Sequence, residues 1–190
     1  PNRPEPAPTP GPDGVTHQAQ EDLSIMRALA GSTVIAPADP TSTRMAVHAA
    51  AAYQGPVYLS FTRDPVPVLY DATFPFKIGK AVVVREGKDA AIIANRDLVI
   101  QALIAAELLA KKGIDVRVID CHTLKPLDER MVLKAAKETG AIVTAETAHH
   151  GQKVLRITNS AYLSRNVKRI AGKISSISTL VIRGSLIQRG

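Results

Sequence analysis

The sequence predicts an α/β fold, with parallel strands covered by helices. Three observations carry this reading. Short runs such as Val34–Ala36 and Val57–Phe61 are rich in branched and aromatic residues, and they alternate with segments of helical apolar spacing. The strands are almost continuously apolar, as strands buried on both faces are. The pattern also runs twice, restarting after a stretch from Asp71 to Phe76. Two units follow, residues 13–70 and 78–190, joined by a linker at 71–77 and preceded by a proline-rich arm at 1–12. A chain of 190 residues, 45% of them hydrophobic, can bury one large or two small cores.

The arm reads PNRPEPAPTPGP, which forms neither helix nor central strand and is expected to be extended or disordered. Asp13-Gly14 is a turn. Apolar spacing from Gln20 to Leu29 is helical and stops at Gly31. A short strand at Val34–Ala36 ends at a proline. Thr41-Ser42-Thr43 is expected to cap a helix from Arg44 to Tyr53, with Asp39 capping or turning near Pro40. Gly55-Pro56 turns the chain into the strand Val57–Phe61, and Thr62-Arg63-Asp64-Pro65 leaves it.

In the second unit, strands at Ala81–Val84 and Ala90–Ala94 flank Glu86-Gly87-Lys88-Asp89, which reads as a hairpin-type connection. Leu98 to Lys112 is a helix with Leu98, Ala102, Ala105, Leu108 and Leu109 on one face and Gly113 as its stop. A strand at Val116–Ile119, a helix at Glu129–Glu138 ended by Gly140, and a strand at Ala141–Ala145 complete the pattern.

Composition narrows the function classes. The net charge of +7 suits phosphate-bearing ligands or nucleic acid. Aromatics are only 4% and the basic residues are scattered, so no stacking surface for nucleic acid is expected. No apolar run approaches the roughly 20 residues of a membrane helix, and the first residues lack a signal-peptide core. The single cysteine, Cys121, excludes an internal disulfide and fits a reducing, cytoplasmic setting. It ends a strand and reads as a buried structural thiol.

Three side chains stand out as site candidates, each with a plainer alternative. Asp13 either forms the turn before Gly14 or faces a ligand. His17 is either a structural histidine or a proton-exchanging group, as its ordinary pKa of about 6.5 allows. Arg63 stands where the chain leaves a strand, and its plainer alternatives are pairing with Asp64 or staying solvated. Glu21 and Asp22 suit a helix N-terminus. His122 follows a strand and could face a cleft. His149 and His150 are adjacent and point to opposite sides, with no third ligand at metal spacing, so no metal site is expected.

The stretch Asp13-Gly14-Val15-Thr16-His17-Gln18, followed by Glu21-Asp22, Met26-Arg27-Ala28 and Pro37-Ala38-Asp39, resembles the pyrimidine-binding domain of transketolase, a thiamine-diphosphate enzyme. The second unit resembles that family's C-terminal domain through its FKIGKA entry, its VRVID and LKPLD segments, and its Thr-Ala-Glu strand end. The resemblance covers roughly residues 13 to 146. The segment Ala94-Asn95-Arg96-Asp97 departs from it, replacing a glycine-bearing turn, and the tail after about residue 147 is diverged. Deoxyxylulose-phosphate synthase and the 2-oxoacid dehydrogenase beta subunits share a looser frame.

The resemblance implies a truncated thiamine-diphosphate pyrimidine-binding domain followed by a three-layer α/β transketolase C-terminal-like domain. It implies transfer of a two-carbon ketol unit between sugar phosphates, or, alternatively, an inactive structural fragment of the same family. His17 would lie beside the donor sugar's hydroxyls, Asp13 would accept a hydrogen bond from one, and Arg63 would bind the phosphate. The cofactor's activating glutamate and the diphosphate–magnesium clamp are expected from an N-terminal transketolase subunit or a missing domain. Val34–Ala36 and Val57–Phe61 would then expose an edge or face, and a homodimer is expected to cover it.

Overall fold

The structure, a computed structural model, describes residues 21–62, 65–139 and 141–146. The first unit contributes α1 (Asp22–Ala28), β1 (Thr33–Ile35), α2 (Pro40–Ala51) and β2 (Val57–Leu59). The second contributes β3 (Val82–Arg85), β4 (Ala90–Ala94), α3 (Leu98–Ala110), β5 (Val116–Asp120), β6 (Thr123–Lys125), α4 (Glu129–Thr139) and β7 (Ile142–Ala145).

The short helices and strands of the first unit are fixed at their ends. Helix α1 is seven residues long, too short to persist alone in water. Its last carbonyls are taken up from outside the helix. Ser32 Oγ donates to Met26 O at 2.6 Å and to Leu29 O at 2.9 Å. Lys125 Nζ donates to Arg27 O at 3.0 Å and also to Leu29 O, bringing a cation to the negative end of the helix. Leu23 is fully buried, which contributes about 1.5–3 kcal/mol to holding α1 in place.

Helix α2 starts earlier than expected. Asp39 is its N-cap: Asp39 Oδ1 accepts from Ser42 N at 2.7 Å, and Asp39 N donates to Ser42 Oγ at 3.1 Å. This reciprocal arrangement, with Pro40 at the first helical position, moves Thr41-Ser42-Thr43 from the cap into the first turn.

Strand β1 pairs in parallel with β2, as strand–helix–strand order predicts. On its other side it pairs antiparallel with β6, giving the order β2-β1-β6. Strand β6 is not foreseen in the sequence, and its pairing corrects the expectation for Val34–Ala36. Val34, Ile35 and Ala36 have no exposed surface, because the chain's own second unit covers them. Among the described residues β2 and β6 are the two edges of this sheet, and the three residues of β2 are half-buried.

The second sheet runs β3-β5-β4-β7. Strands β5, β4 and β7 are parallel, and β3 is an antiparallel edge on β5. The expected hairpin between β3 and β4 does not form, because β5 lies between them. Helix α3 covers one face with Val99, Ala102, Ala106 and Leu109, packed on Ile92, Val116 and Val118. Its buried face is turned slightly from the predicted one: Val99 is sealed and Leu108 is half exposed. Gly113, at φ 72°, ends it, and Ile114 N reaches Leu109 O at 3.0 Å.

The other face of this sheet carries Ala91, Ile93, Ile119 and Ile142. They pack against Val132 and Ala135 of α4 and, in the same cluster, against Leu23, Val34 and Ala36 of the first unit. The layers are therefore α3, the four-stranded sheet, and then α4 beside the first unit's elements.

Gly87, between β3 and β4, has no room for a side chain. A Cβ there would lie 2.7 Å from Val116 O and closer still to the adjoining peptide atoms of Val116 and Arg117. Gly87→Ala is expected to lower stability by about 2–4 kcal/mol, read as a lower urea midpoint with an unchanged slope. A midpoint within error of the parent would contradict this packing.

Candidate functional site

Asp13, His17 and Arg63 lie outside the described residues, as do His149 and His150. What the structure does describe is the pair of elements that flank the first three. Helix α1 follows Thr16-His17-Gln18, and β2 leads into Arg63.

Those two elements are joined by one carboxylate. Asp22 Oδ2 accepts from Tyr58 OH at 2.7 Å and from Ser60 Oγ at 2.9 Å. Tyr58 and Ser60 are two apart on an extended segment, so both point to the face that meets α1. Burial, together with the hydrogen bond to Asp22 and its charge, raises the Tyr58 phenol above its ordinary range, while Arg96 pulls the other way. Asp22 is thus more than a helix-dipole residue. Covalent reach then bounds the candidates: five residues span at most about 18 Å and three at most about 11 Å. His17 is five residues from Asp22, and Arg63 is three from Ser60.

The end of β2 is held from two further sides. Ser60 N donates to Ile35 O at 2.9 Å. Arg96 Nη2 donates to Phe61 O at 3.0 Å, and Arg96 N donates to Ala36 O at 3.3 Å. Arg96 was not a candidate in the sequence. The available signal was that the segment Ala94-Asn95-Arg96-Asp97 replaces a glycine-bearing turn of the resembled family.

A second polar set ties the connector to the second unit. Asp39 Oδ2 accepts from Leu69 N at 2.8 Å and Tyr70 N at 3.0 Å. Burial by itself would raise the Asp39 pKa. The hydrogen bonds from Ser42, Tyr70 and Leu69 outweigh it and hold the carboxyl below its ordinary range. Tyr70 OH donates to Asp120 Oδ2 at 2.7 Å. Tyr70 stacks on Phe74 at 3.7 Å, and Phe76 stacks on His122 at 4.3 Å.

His122 has no exposed surface, and Nδ1 lies 3.0 Å from Thr123 Oγ1. Burial lowers its pKa to about 4, so the ring is neutral at physiological pH. His122 therefore packs the connector and faces no cleft. Cys121 is equally buried, and burial, with the charges of Asp120 and Asp128, pushes its thiol up to about 12. It is an inert core residue, as its position at a strand end predicts.

Among the described residues no group of three or more His, Cys, Asp or Glu is placed to hold a metal ion.

Comparison with known proteins adds to this geometry. Residues 79–183 match the transketolase C-terminal domain, and residues 7–68 match the transketolase pyrimidine binding domain. The chain is 45% identical over 136 residues to a 6-deoxy-6-sulfo-D-fructose transketolase subunit of Clostridium sp. (strain MSTE9), covering 72% of this chain and 42% of that protein. It is 38% identical over 134 residues to an apulose-4-phosphate transketolase subunit of Phocaeicola vulgatus, covering 70% of this chain and 43% of that protein. Among solved structures it is similar to a split gene transketolase described as an inactive beta4 tetramer. That match has a TM-score of 0.67 and 43% identity, over 69% of this chain and 44% of that chain. The chain spans less than half the length of each of these relatives.

The connector network carries a pH signature. Burial raises the Asp120 pKa to about 7, against the Tyr70 hydrogen bond that lowers it. An unfolded aspartate ionises near 3.9. At Asp120 the folded state therefore keeps a proton that the unfolded state has lost, so this carboxyl's contribution to stability falls as pH rises from about 4 through about 7, while the buried neutral His122 contributes in the opposite direction below about 6.5. Asp120→Asn, which mimics the protonated carboxyl, is expected to remove this fall and to be the more stable chain at pH 8. Urea midpoints of the two chains across that range are the check, and parallel curves would contradict it.

Proposed function

Because the chain belongs to the transketolase family, we propose that it is the C-terminal portion of a thiamine-diphosphate-dependent transketolase, transferring a two-carbon ketol unit from a ketose phosphate to an aldose phosphate. The observation that carries this reading is the Asp22 carboxylate, which binds Tyr58 and Ser60 and so draws together the segments leading to His17 and Arg63. The pyrimidine-binding-domain match over residues 7–68 contains all three candidates and supports the same reading.

In this proposal each residue has one task. Arg63 binds the sugar's phosphate through its planar fork. Asp13 accepts a hydrogen bond from a substrate hydroxyl and orients the sugar. His17 lies beside the donor's hydroxyls and exchanges a proton there near neutral pH. When bound, thiamine diphosphate supplies the carbanion chemistry of ketol transfer. The activating glutamate, the diphosphate clamp and the magnesium come from an N-terminal transketolase subunit or a further domain. The relatives named as transketolase subunits support such a division of labour. The isolated chain is proposed to be inactive and homo-oligomeric, which the solved structure described as an inactive beta4 tetramer supports.

Mixing this chain with a diphosphate-binding transketolase subunit, thiamine diphosphate and magnesium is expected to give ketol transfer that neither protein gives alone. His17→Ala is expected to lower kcat/KM of the mixture by about 10²–10⁴-fold. Transfer that is indifferent to this change would refute the site. Absence of transfer with any cognate partner would favour a structural or oligomerisation role.

A further inference from the structure

We propose that Arg96 is a positioning residue that anchors the exit of β2 and thereby tightens the hold on the anionic end of the substrate; this rests on the reading of Arg63 as the phosphate ligand. The argument begins with backbone conformation. Arg96 has φ 54°, in the left-handed region that glycine enters freely and residues with a Cβ avoid. It is the one non-glycine residue with positive φ among those described. Asparagine or aspartate tolerates such a position through a short side chain, but arginine has no such local compensation. A strained residue of this kind calls for a reason outside its own turn.

The guanidinium supplies that reason. Strand β2 ends at Leu59, so Phe61 O lies past the ladder that pairs β2 with β1. Arg96 Nη2 donates to that oxygen at 3.0 Å. The Phe61 side chain is 45% exposed, so packing does little to hold the segment. The same arginine's N–H donates to Ala36 O at the end of β1. A single residue at the start of α3, in the second unit, thus grips the ends of both parallel strands of the first. Its charge also reaches the Asp22–Tyr58–Ser60 set, where it favours the ionised phenol. Arg63 follows Phe61 by two residues, a covalent span of at most about 7 Å. On the proposed reading of Arg63, the hold on Phe61 O is the described contact nearest in sequence to the phosphate ligand.

Two variants separate the anchor from the strain. Arg96→Gly relieves the backbone and removes the guanidinium. Arg96→Lys keeps the charge and the strain but replaces the planar guanidinium that donates through Nη2 with a shorter, more strongly hydrated ammonium. The first readout needs no activity: amide hydrogen exchange of the full chain, comparing peptides over residues 60–68 with peptides over β4. Both variants are expected to speed exchange at 60–68 and leave β4 unchanged. The second readout uses the reconstituted enzyme. KM for a phosphorylated donor is expected to rise about tenfold with kcat within about twofold, while KM for the unphosphorylated ketose stays put. Unchanged exchange at 60–68 overturns the anchor. Faster exchange with an unchanged KM for the phosphorylated donor, or an equal rise for both donors, overturns its role in phosphate binding. A mixture that transfers no ketol unit refutes the proposed function instead, and the exchange result still decides the anchor.

Discussion

The place of the first unit in this chain depends on the antiparallel pairing of β1 with β6. Strand β1 is three residues long and lies in the first unit, and β6 is equally short and lies nearly a hundred residues later. Neither would persist alone, because short strands need a sheet of three or more strands with a packed face. Together they place Val34 and Ala36 against Ile93, Ile119 and Cys121, so the two units share one hydrophobic cluster. Lys125, at the end of β6, then reaches the carbonyl end of α1 and fixes the helix that follows the candidate histidine. The fold of the second unit thus sets where the first unit's elements stand.

That dependence explains what could be read from the sequence. Local signals were legible where one residue type settles the matter. Gly113 ends α3 because a left-handed residue is needed there. The helices and the long strands of the second sheet follow from apolar periodicity. What was not legible depends on distant partners. Strand β6, only three residues long, has no pattern of its own and is a strand because β1 lies beside it. The segment Glu86–Asp89 looks like a hairpin turn, yet β5 inserts between the flanking strands, and sequence spacing cannot foretell an insertion from a later element.

The candidate site shows the same division. The family resemblance singled out Asp13, His17 and Arg63, which lie outside the described residues. The supports around them were invisible to motif reading, because each is a contact between elements. Asp22 looked like a helix-dipole residue until Tyr58 and Ser60 were found on it. Arg96 looked like a departure from the family pattern until its guanidinium was found on Phe61 O. Asp39 combines both roles. It caps α2, as its position before Pro40 suggested, and it also receives Leu69 and Tyr70 from the connector. A carboxylate with two oxygens can serve a local cap and a distant segment at once, and only the first use leaves a trace in nearby sequence.

The central claim is that the first unit's strands stand only because the second unit completes their sheet, so that the two open as one cooperative body. Native-state hydrogen exchange under mild denaturant tests this most directly. The amides of β1 and those of β4 are predicted to exchange through a single opening with the same free energy and the same denaturant dependence. If β1 opened at markedly lower free energy while β4 stayed protected, the shared core would be no more than a contact between independent units.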